Sequence, residues 1–167
     1  MQRIISAHNA KVLGKDEEKA EERTCNCRRG TICPLDGKCL TSAVVYQADV
    51  ESEEDGVKSY YGLTENTFKQ RYNQHQSDMR HEKNRHNTAL SAYIHELKDR
   101  EVEYNIKWKI NSKAYPYQGG GRRCDLCLQE KLVICLADLG TTLNRRTEIV
   151  SKCRHKRKFT LSACKPP

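Results

Sequence analysis

The sequence predicts an α+β fold: a small three-stranded antiparallel sheet flanked by helices, with cysteine clusters spaced for zinc. Three observations carry that expectation. Two β-branched and aromatic runs, SAVVYQADV and VKSYYG, flank Asp55-Gly56, a hairpin turn signal because glycine accepts positive φ without steric cost. A third run, EYNIKWKI, alternates Tyr104, Ile106, Trp108 and Ile110 with polar residues, the period of a half-buried strand. Segments of helical period lie between and after these runs, and nine cysteines stand at short spacings along the chain.

Residues 1–23 read as a short N-terminal helix followed by a charged linker, KDEEKAEER, whose side chains suit solvent rather than a ligand. Residues 24–41 form a cysteine-rich segment holding Cys25, Cys27, Cys33 and Cys39. Gly30, Pro34 and Gly37 supply the turns that would bring thiolates into a tetrahedron around zinc, using all four or borrowing ligands from elsewhere. The main domain then runs over 42–161, and 162–167 is a tail.

Within the domain, 42–63 makes the hairpin, turning at Glu53–Gly56. A helix is expected from Thr64 or Asn66 to about Met79, because Phe68, Tyr72, His75 and Met79 recur at helical spacing. Arg71 and His75, four apart, share one face of it. The stretch from His81 to His86 reads as a polar loop rather than a zinc pair. A second helix over 88–99 turns Leu90, Ile94 and Leu97 inward and leaves His95 partly exposed. The third strand is expected over 103–110, with Trp108 a core residue rather than a base-stacking platform. AYPYQGGGRR follows as a loop that brings Arg122 and Arg123 toward phosphate; it lacks the Lys-Ser/Thr of a nucleotide-binding loop.

A third helix is expected over 124–139. It starts at a CxxC pair, Cys124 and Cys127, carries Glu130 one turn on, and packs Cys135 as a small apolar side chain. A last helix opens at Leu143, carries Asn144, Arg145 and Arg146, and ends near Val150. SKCRHKRKF then offers Cys153 and His155, which with Cys124 and Cys127 make a second candidate zinc set, and Arg154, Lys156 and Arg157 suit a phosphate backbone.

The totals agree with one domain of modest core: 167 residues, 37% hydrophobic and 31% charged. The net charge of +8 points to an anionic partner, nucleic acid first. No apolar run approaches the ~20 residues of a membrane span, and the N-terminus lacks a signal-peptide core. An intracellular chain with no membrane partner is therefore expected. Its thiols are then reduced and available to metal rather than paired as disulfides.

Tyr46 ends the triplet VVY, Tyr60 opens the triplet YYG, Arg71 follows eleven residues after Tyr60 and His75 four later; Glu130 and Asn144 come in later helical segments. This series resembles the GIY-YIG endonuclease family over about residues 42–150, with Val44 and Tyr61 standing where the family has glycine and isoleucine. CNCRRG, CPLDGKC, CDLCLQEK, LNRRTE and SKCRHKRKF extend the likeness to the endonuclease region of Penelope-like retroelements. The resemblance implies a DNA-nicking enzyme whose 3′-OH primes reverse transcription, a nuclear setting, and a reverse transcriptase as companion in the parent element. No polymerase fits in this chain, so a fragment, a truncated copy or a repurposed domain is expected. By resemblance Glu130 holds magnesium or manganese, Tyr46 takes a proton from the attacking water directly or through Tyr60 or His75, Arg71 grips phosphate, and Asn144 orients Glu130 or the phosphate. The zinc sets would be structural, one or two ions per chain. Two other readings compete: a zinc-stabilised DNA- or RNA-binding module without catalysis, and a zinc-dependent interaction module, which explains the cysteines but not the tyrosine–arginine–glutamate series.

Overall fold

The computed structural model describes residues 24–28, 32–115 and 124–144. Three antiparallel strands form its sheet in the order β2-β1-β3: β1 (Val44–Ser52) in the centre, β2 (Gly56–Thr64) on one side and β3 (Tyr104–Lys113) on the other. The hairpin turns at Glu53–Asp55, and Gly56 takes a φ of +68° at its close. Two residues of a distant helix hold that turn. Tyr93 donates its hydroxyl to Asp55 Oδ2 (2.9 Å), and Arg100 pairs with Glu54 and Asp55.

The helices are α1 (Phe68–Arg80), α2 (Ala89–Asp99) and α3 (Asp125–Leu136), with a 3₁₀ turn at Glu82–Asn84. Helix α2 opens on a capping box in which Thr88 and Ser91 satisfy each other's backbone N–H groups. Helix α1 has no side-chain cap. Instead the carbonyl of Thr41 accepts from Phe68 N and that of Cys39 from Lys69 N, both at 2.8 Å. This moves the start of α1 past the expected Thr64 or Asn66. Thr64 itself belongs to β2, opposite Val44.

Helices α1 and α2 cover one face of the sheet. Tyr46, Ala48 and Val50 of β1 pack there with Phe68, Met79, Leu90, Ile94 and Leu97, and the half-buried row Tyr104, Ile106, Trp108 and Ile110 of β3 completes the layer. Each fully buried large apolar side chain contributes about 1.5–3 kcal/mol. The opposite face is covered by α3 at one end, where Cys124, Leu126 and Cys127 meet Val45, Leu63 and Ala114. The rest of that face carries a polar lattice: Asp49 accepts from Gln47 and Ser59 and pairs with Lys109.

Several boundaries and one burial differ from expectation. Strand β3 runs on to Lys113, pairing with β1 as far as Val44 across an irregularity in which Asn111 is the extra residue between the pairs Tyr46–Ile110 and Val45–Ser112. Helix α3 stops at Leu136 rather than near 139, where Asp138 instead accepts from the backbone of Thr141 and Thr142 in a turn. The chain then lies along the outer side of β2 through a parallel bridge between Thr142 and Ser59. His95 is buried, not partly exposed: its ring spans Asp78 O (3.0 Å) and Glu82 Oε2 (2.9 Å), tying α2 to α1 and the 3₁₀ turn. Among the described residues no helix is long and apolar enough to cross a membrane. The N-terminal helix and linker, the last helix from Leu143 and the basic C-terminal stretch lie wholly or largely outside the described residues.

Candidate functional site

Tyr46 lies in the central strand with its side chain on the face that α1 covers, and it is fully buried. Across the ladder its partner is Gly62. A Cβ built on Gly62 would stand 2.6 Å from Tyr46 Cζ and closer still to the phenol oxygen, so the phenol lies directly on the bare backbone of β2. Only glycine admits the ring there. The last residue of YYG is therefore a packing requirement of the tyrosine on the neighbouring strand.

The phenol oxygen sits between two groups of α1. Arg71 Nε donates to it at 3.0 Å, and His75 Nε2 lies 2.7 Å away. Residues 71 and 75 face the sheet together because they are one turn apart. Burial first, then the neighbouring Tyr60 and Glu130, raise the Tyr46 pKa; Arg71 opposes them. The phenol is thus protonated at neutral pH, and its O–H donates to Nε2. His75 is fully buried and lowered to about 3, by desolvation first and the Arg71 charge second, so the ring is neutral. That assigns the ring proton to Nδ1, a buried atom that meets no hydrogen-bond partner among the described residues.

Tyr60 completes the aromatic wall, 5.7 Å from the His75 ring, and also interacts with the Arg71 guanidinium. Glu130 of α3 is buried and close enough to act on the Tyr46 phenol electrostatically. Five expected residues from four elements, Tyr46, Tyr60, Arg71, His75 and Glu130, thus share one electrostatic neighbourhood. Asn144 does something else. Its Oδ1 accepts from Tyr61 N at 2.7 Å and its Nδ2 donates to Tyr61 O at 2.8 Å. Both ends of the amide are engaged by the backbone of β2.

Two further residues border the site, Gln74, which the sequence did not single out, and Trp108, which it read as core. Gln74 accepts from Arg71 Nη1 at 2.9 Å, and its position three residues on was the available signal. Trp108 lies tilted behind the centre, its ring 5.5 Å from His75 and 6.1 Å from Tyr46.

The second constellation is the cysteine cluster. The sulfurs of Cys25, Cys27, Cys33 and Cys39 all lie within 4.8 Å of one another, a group that could hold a metal ion such as zinc. The contacts Cys27–Cys39 at 3.7 Å and Cys25–Cys39 at 3.6 Å fit the ~3.8 Å edge of a tetrahedron with ~2.3 Å metal–sulfur bonds. Asp36 (φ 46°) and Gly37 (φ 89°) make the tight turn between Cys33 and Cys39. Backbone N–H groups of Leu35 and Gly37 help lower the Cys33 thiol to about 7 despite desolvation, while burial pushes Cys39 up to about 12. The segment is fastened to α1 by the Cys39 carbonyl and by Lys69 Nζ on Asn26 Oδ1 (2.7 Å).

No other group of metal-ligand type forms among the described residues, and His81 and His86 are both exposed in their loop. Cys124 and Cys127 are buried together at the start of α3, but their expected partners Cys153 and His155 lie outside the described residues. So do Arg122, Arg123, Arg145, Arg146, Arg154, Lys156 and Arg157, expected at phosphate. No protein-family model, curated protein or solved structure matches the chain.

Proposed function

We propose that this chain is a metal-dependent DNA endonuclease of the GIY-YIG type that nicks a strand and leaves a 3′-OH. The observation that supports it above all is the Tyr46 phenol, held between Arg71 Nε and His75 Nε2 with Tyr60 and Glu130 in the same neighbourhood. A satisfied core tyrosine needs one hydrogen bond, not a cation, a neutral imidazole and a carboxylate. Phosphodiester hydrolysis needs a group to take a proton from water, a cation on the phosphate and a stabilised leaving oxygen.

The residues divide that work. Tyr46, once nearby positive charge lowers its pKa enough for it to release its proton to solvent, is the acceptor for the water's proton, directly or relayed through Tyr60 or His75. Arg71 stabilises the phenolate through Nε, and its guanidinium, which reaches out to Gln74, is the fork that receives phosphate. Glu130 is the carboxylate that fits a hard divalent ion, because magnesium takes its remaining oxygens from water and phosphate. Bound there, such an ion would supply positive charge that lowers the phenol pKa and neutralises the leaving oxygen. The four-cysteine set is a structural zinc site, with no position open to substrate.

Supercoiled plasmid incubated with magnesium tests the reading. Open-circle product is expected from the native chain and from neither Glu130→Ala nor Tyr46→Phe. Equal nicking by all three removes the site. Plasmid binding without nicking by the native chain favours the alternative, a zinc-stabilised nucleic-acid-binding module, which the four-thiol cluster and the +8 charge support equally well.

A further inference from the structure

A cavity of about 810 Å³ opens between α1, β3 and the cysteine segment. That is within the ~300–1,000 Å³ that admits a small-molecule-sized group. Its floor is the half-buried row of β3, Tyr104, Ile106 and Trp108; one wall is the Tyr72, Gln76 and Arg80 stripe of α1; the opposite rim is Ile32 and Pro34 of the cysteine segment.

We propose that this groove takes an unpaired nucleotide of the strand bound at the tyrosine centre, its base on Trp108 and Tyr72 and its phosphate on Arg80. The inference rests on nucleic acid being the partner, and adds a second surface to that reading. Three features select this occupant over an apolar peptide. Aromatic faces with cations at the rim are the combination that single strands use: stacking for the base, charge for the backbone. The cations around the groove, Arg80, Lys98 and Lys107, outnumber its one carboxylate, Asp36. Lys107 is paired with Glu51 and Lys98 Nζ is held by Met79 O, whereas Arg80 is exposed and makes no ion pair among the described residues. Finally, Trp108 belongs to both places. It lines the groove, and its ring lies 5.5 Å from His75, so a base seated there is one ring away from the catalytic pair. Ile32, 90% exposed at the rim, is then covered by the same ligand.

Trp108 is the chain's only tryptophan, so its emission reports the groove directly. The probes are fluorescence titrations, without magnesium, of the zinc-loaded full chain with oligothymidylate, oligouridylate, a matched abasic oligomer and a matched duplex. Quenching is expected with the two single strands and not with the abasic oligomer or the duplex. Arg80→Ala is expected to weaken the quenching titration about three- to ten-fold, and Tyr72→Leu about ten-fold, in the range of one lost stacked base. Because Tyr72 also touches the core, the abasic comparison carries the test if that variant folds poorly. Glu130→Ala, which abolishes nicking under the nuclease reading, leaves the quenching as it was. Equal quenching by the abasic oligomer, or binding by anisotropy with no change in emission, overturns the groove while leaving the nuclease intact. Silence toward every oligonucleotide in a chain that still nicks plasmid assigns the groove to another occupant.

Discussion

Replacing Gly62 with alanine should damage the tyrosine centre more than any other single-methyl change in the sheet. The new Cβ would lie 2.6 Å from Tyr46 Cζ and 3.1 Å from Cε2. Unstrained carbon contacts are ~3.5–4.0 Å, so the ring must retreat by about 1 Å. Tyr46 has no empty space to retreat into: Phe68, His75 and Trp108 surround it with ring centroids at 5.4, 5.7 and 6.1 Å. A retreat of that size lengthens the hydrogen bonds to His75 and Arg71 past useful range. Overpacking costs about 1–3 kcal/mol and the two lost hydrogen bonds about 0.5–1.5 kcal/mol each, so the expected destabilisation is about 2–6 kcal/mol. Urea unfolding of Gly62→Ala beside Tyr46→Phe measures it, since the phenylalanine variant loses the same hydrogen bonds without the clash. Gly62→Ala should be the less stable of the two. A midpoint within about 0.5 kcal/mol of the parent refutes the close-approach argument, because surface-type changes stay in that range.

Three further outcomes follow from the same geometry. Removing metal from the cysteine cluster should free the carbonyls of Cys39 and Thr41, so hydrogen exchange at Phe68 and Lys69 should accelerate on chelation; unchanged protection there would separate the cluster from α1. His75 binds protons less readily in the fold, at about 3, than in the unfolded chain, near 6.5. The unfolded state therefore gains protons first as pH falls, and the parent should lose about 2 kcal/mol between pH 7 and pH 5 that His75→Gln does not lose; parallel pH profiles would contradict a buried neutral ring. Asn144→Ala removes two hydrogen bonds to Tyr61 and should cost about 1–3 kcal/mol of stability. An unchanged unfolding midpoint with lost nicking would return Asn144 to the chemistry expected from its resemblance.

The sheet and its helices were legible wherever one local period dominated. β3 alternates over its whole length, and Asp55-Gly56 turns the hairpin because the glycine takes the φ that such a turn needs. The Cys25–Cys39 group was legible too, since turn residues between thiols at short spacing leave few other ways to pack them. What escaped was set by partners far away in sequence. The start of α1 depends on carbonyls nearly thirty residues upstream rather than on a local cap. His95 is buried because Asp78 and Glu82 meet both ring nitrogens, and neither lies on its own helix. Asn144 meets the main chain of a strand more than eighty residues earlier, a contact with no local signal. The convergence of Tyr46, Arg71 and His75 was expected from the resemblance; the contact of Gly62 with the phenol needed coordinates.

The docking of Thr141–Asn144 along β2 has a consequence for how copies of this molecule behave at high concentration. A three-stranded sheet has two open rims where an intruding strand can add itself, the usual first step toward fibrils. On the β2 rim the N–H and C=O groups of Ser59 and Tyr61 are already taken by Thr141, Leu143 and Asn144. On the β3 rim Lys107, Lys109 and Lys113 stand exposed, the first two paired with Glu51 and Asp49 of β1, and such charged side chains along an edge strand disfavour an added strand. Among the described residues one rim is thus closed by the chain's own backbone and the other lined with charge, two different devices against edge-to-edge pairing.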